Sequence, residues 1–121
     1  MKKTVIIGAT PNPTRYAFLA AERLTENGME FVPVGIKKGM VLGKEIQNLK
    51  QKPLVEGVHT IALYINPTHQ PEWYDYFLSL KPKRVIFNPG TENPELEKLL
   101  EANNIEALEA CTLVLLASHQ F

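Results

Sequence analysis

Residues 3–21 read KTVIIGATPNPTRYAFLAA. Thr4–Ile7 is a β-branched apolar run, short enough for a strand buried on both faces. Gly8 stops it, and a turn follows through Ala9, Thr10 and Pro11. Asn12 is placed to cap a helix whose first residue is Pro13, because proline has no N–H to leave unpaired there. Ala17, Ala20, Ala21 and Leu24 then recur at the spacing of one helical face. Strand, glycine turn and helix start in that order bring backbone N–H groups and a positive helix end to one spot, which suits a phosphate.

Outward from this unit, strands and helices alternate. Asn27-Gly28 ends the first helix. Glu30–Val34 is a second strand, and Pro33 within it implies a place near the sheet edge or an early strand end. Gly35–Gly57 carries four glycines and few apolar residues, so a long loop with a short helical or strand piece is expected there. Val58–Ile65 makes a third strand. Thr68 or Gln70 opens a helix with Pro71 in its first turn and Trp73, Tyr74, Tyr76, Phe77 and Leu80 on its buried face; Lys81-Pro82 ends it. Arg84–Phe87 is a fourth strand. Asn93 caps a helix begun by Pro94 and ending at Asn103-Asn104, Ile105–Leu108 is a fifth strand, and Thr112–Ala117 reads as a closing helix. We expect one α/β domain over residues 1–121: a Rossmann-like three-layer arrangement around a five-stranded parallel sheet, order 3-2-1-4-5.

Lys and Arg number 13 against 13 Asp and Glu, so no global charge draws the chain to nucleic acid or to a membrane surface. A single cysteine excludes an internal disulfide and fits a reducing compartment. The chain starts directly in a strand, and no apolar run approaches the roughly 20 residues of a membrane helix. A soluble, cytoplasmic protein is expected. The three histidines have no carboxylate or cysteine at ligand spacing, so no metal site is expected.

Sheets of this type bind ligands beyond the carboxyl ends of their strands. After the first strand come Gly8, Ala9, Thr10, Pro11, Asn12 and Pro13, with Arg15 and Tyr16 a turn later. Gly35, Ile36, Lys37 and Lys38 follow the second, Asn66 and Pro67 the third, Asn88, Pro89 and Gly90 the fourth, and Cys111 the fifth. Three of these loops contain Asn-Pro, a rigid turn that leaves an amide or carbonyl to face a ligand. A dinucleotide fingerprint would need glycine where Thr10 and Pro13 stand, and the acid that holds an NAD ribose is missing after Val34. Lys37 and Lys38 instead favour a ligand with an extra phosphate, such as the 2′-phosphate of NADP or the 3′-phosphate of coenzyme A.

The stretch Val5–Tyr16 (VIIGATPNPTRY) resembles the G-A-S-P-N-P-x-R turn of the small stand-alone CoA-binding domain family, which is similar to the CoA-binding domain of the succinyl-CoA synthetase alpha subunit. The resemblance continues through Phe31–Gly35 (FVPVG), Val41–Lys44 (VLGK), Asn88–Gly90 and Cys111. Thr10 stands for the usual serine and keeps its hydroxyl, while Thr112-Leu113-Val114-Leu115-Leu116 replaces the expected Cys-Pro and polar end. The resemblance implies that Gly8–Tyr16 hold the CoA pyrophosphate and that Gly35, Ile36 and Lys37 lie at the adenine and ribose-phosphate end. It also implies that Asn66-Pro67 and Asn88-Pro89-Gly90 line the path of the pantetheine arm.

No spacing pairs a nucleophile with a base. We therefore read the chain as a non-catalytic binder of coenzyme A or an acyl-CoA, a small-molecule nucleotide ligand. An NADP-binding oxidoreductase-like or redox-sensing protein is the alternative. Cys111 is expected to face the cleft at the start of the closing helix. The aromatic helix and the Leu-Val-Leu-Leu end suggest a homodimer.

Overall fold

The computed structural model describes residues 2–121. In chain order its elements are β1 (Lys3–Ile7), α1 (Tyr16–Glu26), β2 (Glu30–Gly35), β3 (Met40–Val41), β4 (Lys44–Glu45), β5 (Gln47–Asn48), β6 (Val58–Leu63), α2 (Tyr74–Ser79), β7 (Arg84–Phe87), α3 (Pro94–Ala102), β8 (Glu106–Glu109) and α4 (Thr112–Ala117). Short 3₁₀ turns occupy Leu49–Gln51, Pro67–His69 and Pro71–Trp73.

Six parallel strands form the main sheet in the order β5-β2-β1-β6-β7-β8, and β3 and β4 form a separate antiparallel pair. The Rossmann-like α/β class stands, but the expected count of five and order 3-2-1-4-5 are corrected. Val58–Leu63 pairs with β1 on the side away from β2, and the place outside β2 is taken by the two residues of β5. Gln47 and Asn48 are polar and exposed, so no hydrophobic pattern marked them as a strand. Because β5 pairs only with Val34 and Gly35, most of β2 is an edge. The Phe31 carbonyl points to that outer side and accepts from Lys44 Nζ at 2.7 Å. By the alternation of strand backbones, Pro33 turns its nitrogen the same way, where no ladder bond is lost.

Strand alternation sorts the core into two layers. Val5, Ile7, Ile61, Leu63, Val85 and Phe87 pack under α2 and α3 with Trp73, Phe77, Leu96 and Leu100. Ile6 and Ile86 pack on the other face under α1 and α4 with Ala17, Ala21, Leu24 and Leu116. Phe77 and Phe87 are fully buried, and truncating either to alanine would cost about 3–5 kcal/mol. Trp73, Tyr76 and Phe77, expected on the buried face of their helix, are buried, and Leu116 of the Leu-Val-Leu-Leu end is buried too, while Val114 of that end is exposed. Among the described residues, no helix is long and apolar enough to cross a membrane.

The register aligns the strand ends. Ile7 lies opposite Val34 and Leu63, Leu63 opposite Phe87, and Phe87 opposite Glu109. The loops that follow therefore leave from one edge of the sheet.

Candidate functional site

A cleft of about 740 Å³ lies over that edge. On one side stand Arg15, Tyr16 and Ala17 at the start of α1. The other side is formed by Asn66, His69, Glu72 and Trp73, and the ends by Ile36, Lys37 and Lys50 and by Pro89, Gly90 and Thr91. Gly8, Ala9, Thr10 and Gly35 form part of the floor. Leu49, Tyr64, Ile65 and Trp73 supply apolar wall. Three basic side chains, Arg15, Lys37 and Lys50, face one carboxylate, Glu72, so a chain with no net charge presents a locally cationic cleft. Ile36 and Lys37 separate it from a second hollow of about 690 Å³, lined also by Lys38, Glu45 and Gln47.

The first turn differs from its sequence reading in an instructive way. Helix α1 starts at Tyr16, three residues after Pro13. Asn12 caps a local turn instead: its Oδ1 accepts from Thr14 N at 3.0 Å and from Thr14 Oγ1 at 2.7 Å. The N–H groups of Gly8 and Ala9 are also spent, both donating to the Val34 carbonyl at 2.9 and 3.1 Å. The start of α1 remains open. Arg15, its N-cap residue, makes no side-chain cap, and Phe18 and Leu19 both donate to the Arg15 carbonyl. Among the described residues nothing accepts from the N–H groups of Tyr16 and Ala17, and both residues line the cleft. Anion-ready donors thus sit at the helix start, and the Thr10 N–H, which also has no acceptor among the described residues, adds one from the first turn.

Glycine at position 8 is demanded by the fold itself. Its φ is +99°, and a β-carbon there would lie 3.0 Å from the Tyr64 carbonyl and from Ile65 Cγ2. A substitution at Gly8 therefore perturbs the fold before it reaches any ligand.

In two of the Asn-Pro loops the side-chain oxygen is spent while the amide nitrogen, Asn12 Nδ2 or Asn66 Nδ2, keeps no acceptor among the described residues. Asn66 repeats the Asn12 arrangement, its Oδ1 accepting from Thr68 N and Thr68 Oγ1, both at 2.9 Å. Asn88 is buried, donates Nδ2 to the Leu63 carbonyl at 3.1 Å and accepts from Thr112 N at 2.8 Å, which ties β6, β7 and α4 together. Of the residues singled out from the sequence, Gly8, Ala9, Thr10, Arg15, Tyr16, Gly35, Ile36, Lys37, Asn66, Pro89 and Gly90 line the cleft. Lys38 lines the second hollow. Pro11, Asn12, Pro13, Pro67, Asn88 and Cys111 are outside the lining, and Cys111, the residue before α4, is half-buried.

Sequence reasoning missed Ala17, Leu49, Lys50, Tyr64, Ile65, His69, Glu72, Trp73 and Thr91. Tyr64 and Ile65 follow directly on β6 and were absorbed into the strand, while Leu49 and Lys50 come from the stretch taken as loop. Burial pushes the Tyr64 hydroxyl up to about 12, against the opposing pull of the nearby Thr112 hydroxyl, so this phenol holds its proton at neutral pH.

Comparison with known proteins agrees with the geometry. A family model described as a CoA binding domain matches residues 2–117. A crystal structure described as that of an uncharacterized protein is 62% identical, covers 100% of this chain and 98% of its own, and superposes with a TM-score of 0.97. A Thermus thermophilus protein is 25% identical over 99% of this chain and 90% of its own, with a TM-score of 0.85. A Rex-family repressor, 14% identical with a TM-score of 0.58, covers 98% of this chain and 56% of its own and shares the fold alone. No curated protein matches the sequence.

Proposed function

The chain belongs to the CoA binding domain family, and from that premise we propose that it binds coenzyme A, or an acyl-CoA, across the strand ends without catalysing a reaction. The observation that carries this is the open start of α1: two unpaired N–H groups, at Tyr16 and Ala17, with the Arg15 guanidinium beside them, all facing the cleft. A pyrophosphate supplies the charge and the acceptors that this donor set lacks. In this arrangement the nucleotide end lies toward Gly35, Ile36 and Lys37, and Lys37 and Lys38 meet the 3′-phosphate. The pantetheine arm runs between Asn66 and Pro89-Gly90, over the apolar wall of Ile65 and Trp73.

Calorimetric titration of the purified chain tests the proposal. CoA should bind with micromolar or better affinity, and about tenfold tighter than dephospho-CoA or NAD. Tighter binding of NADP than of CoA would move the assignment to an NADP-dependent redox or sensing role; absence of binding by CoA would overturn it.

A further inference from the structure

Gln70 is fully buried between the two 3₁₀ turns that follow β6. No hydrophobic pattern asks for an amide there, and burying one is costly unless its polar atoms find partners. Nε2 donates to the Ile65 carbonyl at 3.0 Å and to the Thr91 carbonyl at 2.9 Å, and Oε1 accepts from Asn93 Nδ2 at 2.8 Å. Asn93 is itself fixed, since its Oδ1 caps α3 by accepting from Leu96 N at 3.2 Å and its Nδ2 also donates to the Tyr74 hydroxyl at 2.8 Å.

Ile65 and Thr91 both line the cleft, one beyond β6 and the other beyond β7. The ladder between these strands reaches only Leu63 and Phe87. Past it, among the described residues, no backbone–backbone hydrogen bond joins residues 64–73 to residues 88–93. The Gln70 amide spans that gap.

We infer that Gln70 is a positioning residue that sets the spacing of the two cleft walls at Ile65 and Thr91, and so governs binding of the ligand's arm but not of its phosphates. The inference rests on the CoA assignment above, in which the arm lies between those walls. A carboxylate at position 70 has the same shape but cannot donate to two carbonyls. A polar tie of this kind acts only on groups held between the walls it joins.

The test compares CoA with 3′-phosphoadenosine 5′-phosphate, its nucleotide end without the arm, by calorimetry on the full chain. Gln70→Glu should weaken CoA by about tenfold, the worth of one such lost hydrogen-bond pair, and leave the nucleotide fragment within twofold. Lowering the pH should return part of the CoA affinity, because the buried carboxyl takes up a proton readily and regains one donor. Asn93→Ser keeps an N-cap and removes the donor to Gln70 Oε1 and to the Tyr74 hydroxyl while leaving the two Gln70 Nε2 bonds; it should weaken CoA about threefold, again sparing the fragment, and it carries the test if Gln70→Glu does not fold. Equal loss for both ligands, or no loss for CoA, would make Gln70 purely structural and overturn the inference. If the unaltered chain binds the fragment as tightly as CoA, the arm does not lie between these walls and the inference fails while the nucleotide assignment stands. Binding of neither ligand would remove the CoA assignment itself.

Discussion

Replacing Gly35 by alanine sets two physical effects against each other. Gly35 ends β2 and lines the cleft. Its φ lies outside the left-handed region, so alanine meets no backbone penalty, and the stiffer unfolded chain should stabilise the fold by about 0.4–1 kcal/mol. Against this, a β-carbon at position 35 falls 2.8 Å from the Ala9 carbonyl oxygen and 3.1 Å from Ala9 N. Restoring an ordinary contact of 3.4 Å from 2.8 Å requires a retreat of about 0.6 Å. Ala9 cannot retreat freely, because its N–H and that of Gly8 are held by the Val34 carbonyl, one residue away on the same strand. Overpacking of this kind costs about 1–3 kcal/mol. The net loss is then about 0–2.6 kcal/mol, centred on about 1.3 kcal/mol, a fall in Tm of roughly 5 °C at the centre and roughly 10 °C at most for a domain of this size. The same shift moves the turn that leads into α1, so CoA affinity should fall as well. Thermal denaturation followed by circular dichroism, with calorimetry on the folded variant, measures both. A Gly35→Ala protein that melts above the original temperature would refute the close approach of β2 to the first turn as the reason for glycine.

Converting Lys37 and Lys38 together to methionine should weaken CoA by about tenfold at low salt while leaving dephospho-CoA unchanged, and the difference should shrink in high salt; parallel titrations check this. Arg15→Gln should weaken both ligands alike, by about fivefold, since the pyrophosphate is common to them. Burial, and then the Glu109 carboxyl beside it, raise the pKa of Glu97. A carboxyl raised in the folded state contributes stability that is present below about pH 4.5 and is lost as pH rises through the folded value. Glu109→Gln should therefore stabilise the chain at pH 7 by about 0.5 kcal/mol, after allowance for solvent screening. It should be neutral near pH 4, as denaturant unfolding at the two pH values would show.

The parts of the fold that burial dictates were legible. Thr4–Ile7 and Arg84–Phe87 could be read as strands because every residue in them is buried, and Asn93-Pro94 marked the start of α3 where the Asn93 side chain does cap Leu96 N. At Asn12-Pro13 the same signal misled, because Thr14 offers the asparagine both an N–H and a hydroxyl, and the turn takes the cap that the helix then lacks. β5 was hidden because a two-residue edge strand has no hydrophobic period. At the site, the loops after each strand were legible from topology alone. Lys50, Thr91 and the buried Gln70 were not, because their roles depend on which loops meet across the sheet edge.

The central claim is that the ligand's phosphates land on the open start of α1. Two-dimensional amide NMR on the ¹⁵N-labelled chain, titrated with CoA, reports on those N–H groups directly. The amides of Tyr16 and Ala17 should shift among the most strongly in the chain, accompanied by Ile36 and Lys37, as they donate hydrogen bonds to the pyrophosphate oxygens. A saturated complex in which Tyr16 and Ala17 stay unshifted while the largest changes fall around β8 or α4 would contradict it.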